Sequence, residues 1–119
     1  MADAKKLTIL LVEDEVLIRM NTADMLADLG HVVIEAGSGE KALQLFETQP
    51  VDVVITDLGL PGMAGEALAA LLRSRKPDIG IVLATGSDHG ADELGLPGAI
   101  VLRKPYDEVA VAAALGALG

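Results

Sequence analysis

The chain has 119 residues, of which 51% are hydrophobic and 2% aromatic, and it contains no cysteine. We expect one domain over residues 1–119 with an aliphatic core, and disulfides, thiolate metal sites and thiol catalysis are excluded. The net charge of −9 argues against direct binding of nucleic acid through a broad basic face. The apolar run at residues 7–12 is too short for a membrane span or a signal peptide, so we expect a cytoplasmic protein.

Short apolar runs alternate along the chain with segments whose apolar residues recur at helical spacing. The runs predict strands over residues 7–12, 31–36, 53–57, 79–84 and 99–102. Helices are predicted after the first three strands and after the last one, beginning near Val16, Ser38, Ala64 and Asp107. Because right-handed crossovers place helices on both faces of a parallel sheet, we predict an α/β fold, a doubly wound five-stranded parallel sheet.

Two segments depart from this regular alternation. Residues 86–98 contain four glycines and a proline with little periodicity, so any helix between the last two strands should be reduced. The final helix carries no charge between Val109 and Leu118. An apolar outer face of this kind predicts a homodimer or partner surface, or simply reflects the high helix propensity of alanine.

The central stretch is the β-branched run that ends at Asp57. Gly59, Pro61 and Gly62 follow at once and predict a turn, so Asp57 lies at the carboxyl end of a buried strand. Open α/β sheets bind their ligands at this edge. A carboxylate in this position is a metal ligand, a nucleophile or a cap on the following loop.

Other strand ends also carry reactive side chains, namely Glu13-Asp14, Thr85 and Lys104. If the first and third strands are neighbours, three carboxylates share one cavity. Two unit charges about 4 Å apart repel by about 4 kcal/mol at an effective dielectric of 20, so these groups should shift their pKa values or hold a cation. Mg2+ suits such hard oxygen ligands, and an ammonium and a hydroxyl suit phosphoryl oxygens. Asp57 then lies where an attacking carboxylate belongs.

Each of these residues also has an ordinary structural interpretation. Glu13 and Asp14 would cap the first helix, Thr85 would begin a turn, and Lys104 would be a solvated cation. Taken together, however, Glu13-Asp14, Asp57 with Pro61, Thr85-Gly86 and Lys104-Pro105 resemble the signature of the response regulator receiver domain of bacterial two-component signalling. The resemblance covers nearly the whole chain, and it implies the flavodoxin-like strand order 2-1-3-4-5.

The resemblance also implies a role for each residue. Asp57 would be the phosphoacceptor for a sensor histidine kinase or a histidine phosphotransfer protein, and Thr85 and Lys104 would contact the phosphoryl oxygens. Asp14 and Asp57 would bind Mg2+ directly, Glu13 largely through water, and Gly59 through its carbonyl. Lys104-Pro105 would be a cis peptide.

The implied function is a switch and not an enzyme in the ordinary sense, although the domain would catalyse its own phosphotransfer and dephosphorylation. Phosphorylation would alter the face formed by the fourth and fifth strand–helix units and so control a downstream protein or a fused output domain.

The sequence departs from the family pattern in the region that usually switches. Many receivers carry an aromatic residue where this chain has Val101. Residues 83–86 and 103–106 are similar to the subgroup named for a Phe-Ala-Thr-Gly-Tyr motif, with Leu83 and Ser87 in place of its aromatics. We therefore hypothesise that phosphorylation orders residues 87–98.

Two other functions compete with this interpretation. A Mg2+-dependent phosphohydrolase with an aspartyl nucleophile normally needs a second aspartate two residues after the first, and here that residue is Gly59. A binding module that works without phosphate would not need the complete set of site residues.

Overall fold

The computed structural model describes residues 6–86 and 95–118. The strands in these ranges are β1 Thr8–Val12, β2 Val32–Ala36, β3 Val53–Asp57, β4 Gly80–Thr85 and β5 Ile100–Arg103. The helices are α1 Val16–Asp28, α2 Gly39–Thr48, α3 Gly65–Arg75 and α4 Glu108–Ala117. All strand pairs are parallel, in the order β2-β1-β3-β4-β5. The predicted doubly wound α/β fold and its strand order are therefore confirmed.

The core lies on both faces of the sheet because successive strand residues point to opposite sides. Leu10 and Val12 of β1 pack with Leu68 and Leu72 of α3 on one face. On the other face lies a second cluster, which contains Ile9, Leu11, Leu26, Ile55 and Val111. This burial on both faces explains why the sequences of β1, β3 and β4 are nearly continuous apolar runs.

Several helix ends follow from local sequence. The Ser38 hydroxyl accepts a hydrogen bond from the Lys41 N–H at 3.1 Å, and the Asp107 carboxylate accepts one from the Ala110 N–H at 2.9 Å. Gly30, just after α1, has a φ of +93°, a conformation that glycine adopts without steric cost. Ser38 and Asp107 therefore cap the two helices that the sequence predicts to begin near them.

Two sequence predictions concern the final third of the chain. The predicted reduced helix between β4 and β5 lies mainly outside the described residues, and Gly86 and residues 95–99 contain no helix. Val109 of α4 is 76% exposed, and the partner surface predicted on this helix stays a prediction. A bilayer-spanning helix is absent from the described ranges, in which the longest helix has 13 residues.

The strand register places the predicted site residues at one edge of the sheet. Val12 pairs with Thr56, Asp57 with Ala84, and Thr85 with Arg103. Because the strands are parallel, Glu13, Asp57, Thr85 and Lys104 all lie at or just beyond their carboxyl ends. We call this the carboxyl edge of the sheet, and the opposite side its amino edge.

Candidate functional site

Three carboxylates meet at the carboxyl edge. Glu13, Asp14 and Asp57 each offer an oxygen atom, and these atoms lie within 4.8 Å of one another. Glu13 is buried, with 3% of its surface exposed, whereas Asp57 is partly buried and Asp14 exposed. The structure thus brings together the carboxylates that the sequence placed after β1 and at the end of β3.

Lys104 is the cation that faces this acidic cluster. Its Nζ atom lies 3.1 Å from Asp57 Oδ1 and 3.3 Å from Glu13 Oε1. Its backbone N–H donates to the carbonyl of Thr85 at 2.8 Å, which ties the residue after β5 to the end of β4. The Lys104-Pro105 peptide is cis, as the resemblance implied.

Burial sets the protonation behaviour of Glu13. Removal from water raises the pKa of this carboxyl, and the negative charge of Asp57 adds to the effect. A hydrogen bond from the Glu15 N–H and the charge of Lys104 oppose the rise but do not cancel it. The surroundings of Glu13 therefore only partly compensate the cost of burying its negative charge. An additional positive charge nearby would stabilise the ionised form.

The opposite balance holds at Lys104. Burial by itself would lower the pKa of the ammonium, but the hydrogen bonds and charges of Asp57 and Glu13 outweigh it and raise the pKa. Lys104 therefore stays cationic throughout the physiological pH range.

Thr85 and Gly59 complete the predicted set. Thr85 is buried at the end of β4, between the strands that carry Asp57 and Lys104. Gly59 is exposed, and its N–H donates a long hydrogen bond of 3.4 Å to Asp57 Oδ1. Val101, at the position where an aromatic is common in receivers, lies half-buried on β5 opposite Leu83.

Two residues that support the site were not predicted. A Cβ atom built on Gly65 would lie 2.0 Å from the Asp57 carbonyl oxygen, so α3 can begin here only because this residue is glycine. Arg19 donates from Nη1 to the Glu13 carbonyl at 2.8 Å and pairs with Glu35 at 3.4 Å. The sequence shows a glycine near the predicted start of α3. No nearby sequence pattern, however, indicates the contact of Gly65 with Asp57 or the contacts of Arg19.

The fold and this site together define a class of protein. Residues 9–115 match the family model of the response regulator receiver domain. The chain therefore belongs to the response regulator receiver domain family.

The similar proteins fit this assignment. The chain is 39% identical to the sensor kinase CckA of Brucella abortus over 92 residues, which is 76% of this chain and 10% of CckA. It is 30% identical to the response regulator TrrA of Thermotoga maritima, with a TM-score of 0.85 over 97% of this chain and 100% of that one. The TrrA structure is that of a complex with Mg2+-BeF.

The chemotaxis response regulator CheY4 of Vibrio cholerae has the same fold, with a TM-score of 0.86 at 24% identity over 97% of this chain and 100% of that one. The chain spans between 10% and 40% of the length of CckA and seven other curated relatives.

Proposed function

We propose that this domain is a phosphorylation-dependent switch in which Asp57 receives a phosphoryl group from a histidine kinase or a histidine phosphotransfer protein. The observation that carries the proposal is the position of Asp57. One of its oxygens lies 3.1 Å from the Lys104 ammonium, and the same carboxylate belongs to the three-acid cluster. A nucleophilic carboxylate between a metal site and a cation is the arrangement that phosphoryl transfer requires.

The donor set fits Mg2+. Glu13 Oε1 already faces Lys104, and Oε2 accepts a hydrogen bond from the Glu15 N–H at 3.1 Å. Asp14 is exposed and Asp57 is only partly buried, so these two carboxylates would bind the metal directly, with Glu13 acting through water and Gly59 through its carbonyl. The family relative TrrA was solved with Mg2+-BeF, which supports the same metal here. When bound, Mg2+ would neutralise the charge of the acids and of the incoming phosphoryl oxygens.

The transfer step follows from the positions of Asp57 and Lys104. An oxygen of Asp57 attacks the phosphorus of a phosphohistidine, a P–O bond forms, the P–N bond breaks, and the leaving imidazole takes up a proton. Lys104 turns from a partner of the free carboxylate into a partner of a phosphoryl oxygen. Thr85, on the strand between them, donates its hydroxyl to a second phosphoryl oxygen.

A protein donor needs a surface beside Asp57 on which to dock. Three of the six large hydrophobic side chains described as exposed, Val16, Leu17 and Met20, lie in the first turns of α1, directly after the acidic pair. Leu17 is 75% exposed. A cluster of exposed apolar side chains on a small domain marks an interaction site, so we assign this face to the phosphodonor protein.

The output also belongs to this proposal. Lys104 follows β5, and its N–H is bonded to Thr85 at the end of β4, so a phosphoryl group that draws in both side chains acts on the fourth and fifth strand–helix units. A downstream protein or a fused output domain would read the changed face.

Acetyl phosphate separates this function from its competitors. With Mg2+, intact-mass spectrometry should show one phosphoryl group per chain, and Asp57→Asn should abolish it. Asp24→Asn, at an exposed acid within α1, is the matched control and should behave as the wild type. Removal of Mg2+ with a chelator should reduce the rate of labelling by at least about tenfold, because the repulsion among the acids returns.

The other outcomes are equally informative. Steady release of phosphate without an accumulated adduct would favour the phosphohydrolase, and neither adduct nor turnover would favour a binding module without phosphate chemistry. A phosphorylated protein donor supplies a second arm of the experiment. Leu17→Ser should slow transfer from that donor and leave labelling by acetyl phosphate unchanged. Transfer from the protein donor to Leu17→Ser at the wild-type rate would refute the assigned docking face.

A further inference from the structure

One side-chain hydrogen bond connects the lysine segment to α1. The Tyr106 hydroxyl lies 2.8 Å from the Thr22 hydroxyl, although the two residues are 84 positions apart. Thr22 is 1% exposed, within α1. A buried threonine in a helix often bonds a carbonyl of its own helix, but this hydroxyl is directed to another element.

Tyr106 packs against the apolar cluster that contains Leu26 of α1, but the two segments also leave a gap between them. A crevice of about 450 Å³ lies between α1 and residues 104–106. Ile18, Asn21, Thr22 and Met25 line it on the helix side, and Lys104, Pro105 and Tyr106 on the other. The hydrogen bond therefore joins the two segments at the wall of this crevice.

The lysine segment has a second attachment on its other side. The Lys104 N–H donates to the Thr85 carbonyl at 2.8 Å, so the backbone is tied to β4 before it and to α1 after it. A lysine side chain is a flexible four-carbon stem, so its reach depends on where the backbone is fixed. Here the Nζ atom must contact Glu13 Oε1 and Asp57 Oδ1 at the same time.

We propose that Tyr106 is a positioning residue for Lys104, and that it acts through its hydrogen bond to Thr22. The proposal rests on the phosphoacceptor function proposed above. The hydrogen bond of the Tyr106 hydroxyl goes to Thr22 and not to Glu13 or Asp57. Its hydroxyl fixes the segment that carries Lys104 against α1, and thereby places the ammonium between the two carboxylates.

The test compares substitutions that remove one hydroxyl each. Tyr106→Phe keeps the ring, and Thr22→Val keeps the shape of the side chain. Each should lower the maximal rate of Asp57 labelling by acetyl phosphate about fivefold at saturating Mg2+, the effect of losing one ordinary hydrogen bond. The double variant should be no slower than either single variant, because all three break the same bond.

Further variants separate positioning from a general loss of structure. Thr22→Ser retains the hydroxyl and should stay within about twofold of the wild type, since its hydrogen bond survives. Thr48→Val makes the matched change in α2, where the hydroxyl donates only to its own helix at Leu45, and should leave the rate unchanged. The Mg2+ concentration for half-maximal rate should be the same in all of them, because Lys104 is not a ligand.

A background that lacks the lysine tests the mechanism directly. In Lys104→Gln protein, Tyr106→Phe should cause no further loss of rate, because the residue through which it acts is gone. A further fivefold loss there would overturn the proposal, as would wild-type rates for Tyr106→Phe or a double variant in which the single losses multiply. A variant that lowers the unfolding temperature but keeps the wild-type rate would likewise refute it.

The two proposals fail differently. If wild-type protein forms no adduct on Asp57, the phosphoacceptor function itself is wrong. If wild-type protein forms the adduct and Tyr106→Phe forms it equally fast, only the role of Tyr106 is wrong.

Discussion

The two edges of the sheet use similar side chains in opposite ways. At the amino edge, Asp52 accepts from the Thr8 N–H at 2.8 Å and His31 Nδ1 accepts from the Leu7 N–H at 3.1 Å. Lys76 donates to the Val51 carbonyl. At the carboxyl edge, by contrast, the carboxylates of Glu13, Asp14 and Asp57 lie close to one another. Lys104 forms ion pairs with both Glu13 and Asp57.

The difference teaches where to look for function. A cavity of about 530 Å³ lies at the amino edge, but Asp52, His31 and Lys76 in its wall already bind the main chain. Each of these three polar groups thus already has a main-chain partner near a strand end. The carboxyl edge keeps crowded like charges at a cost in stability, which is typical of sites that bind or react.

The largest effect should come from the tight contact at the carboxyl edge. Gly65→Ala places a methyl group against the Asp57 carbonyl, a backbone atom that cannot move aside, and should lower the free energy of unfolding by about 3–5 kcal/mol. Gly116→Ala, in α4 beside the amino-edge cavity, meets no atom within 4 Å and should raise it by about 0.5–1 kcal/mol. Urea denaturation measures both, and equal effects would show that the two edges are not packed differently.

The two aspartates that flank β3 give a closer comparison. Asp52→Ala removes the acceptor of the Thr8 N–H and should lower the free energy of unfolding by about 1–2 kcal/mol. Asp57→Ala, measured without Mg2+, should change it by less than about 0.5 kcal/mol, because the lost contact with Lys104 is offset by relief of repulsion with Glu13. Mg2+ should still stabilise the first variant but no longer the second. A large destabilisation by Asp57→Ala would mean that this carboxylate is structural.

The third comparison concerns pH. Burial raises the pKa of Glu13 above its ordinary value of 4.5, so the folded chain holds this proton at pH values where the unfolded chain has released it. This contribution to stability is present below about pH 4.5 and is lost as the pH rises through the pKa of the folded state. Glu13→Gln should therefore be more stable than wild type at pH 7 without Mg2+, and the advantage should disappear near pH 4.5.

Thermal unfolding of both proteins across this pH range checks the prediction. Mg2+ should reduce the advantage of Glu13→Gln at pH 7, because the metal neutralises the charge that burial leaves uncompensated. A difference between the two proteins that is independent of pH would contradict the inferred environment of Glu13.

Much of the fold could be predicted from local sequence patterns. The continuous apolar run of β3 indicated burial on both faces, and the residues after each strand indicated which side chains share the carboxyl edge. The strand order came from the resemblance, and the register confirms it. Ser38 and Asp107 indicated where their helices begin, because a helix cap is a hydrogen bond to the backbone N–H only three residues further along the chain.

Contacts that depend on distant parts of the chain could not be predicted in this way. The bonds of Tyr106 to Thr22 and of Arg19 to Glu35 join elements whose approach is set by packing, not by spacing. Leu71 follows the helical period of α3 but is 36% exposed, whereas Leu68 and Leu72 are fully buried. The proposed ordering of residues 87–98 falls mainly outside the described residues and stays a prediction.

The start of α3 has a consequence for how the site can respond. Gly65 lies against the main chain of Asp57, and its N–H donates to the Leu58 carbonyl at 3.2 Å, so the main chain of Asp57 is blocked from behind. The side chain of Asp57 can become larger, but the main chain of Asp57 cannot move back toward α3. Any volume added at Asp57 must therefore be accommodated by the groups around its side chain, among them Lys104 and Asp14, and not by a shift of its main chain toward α3.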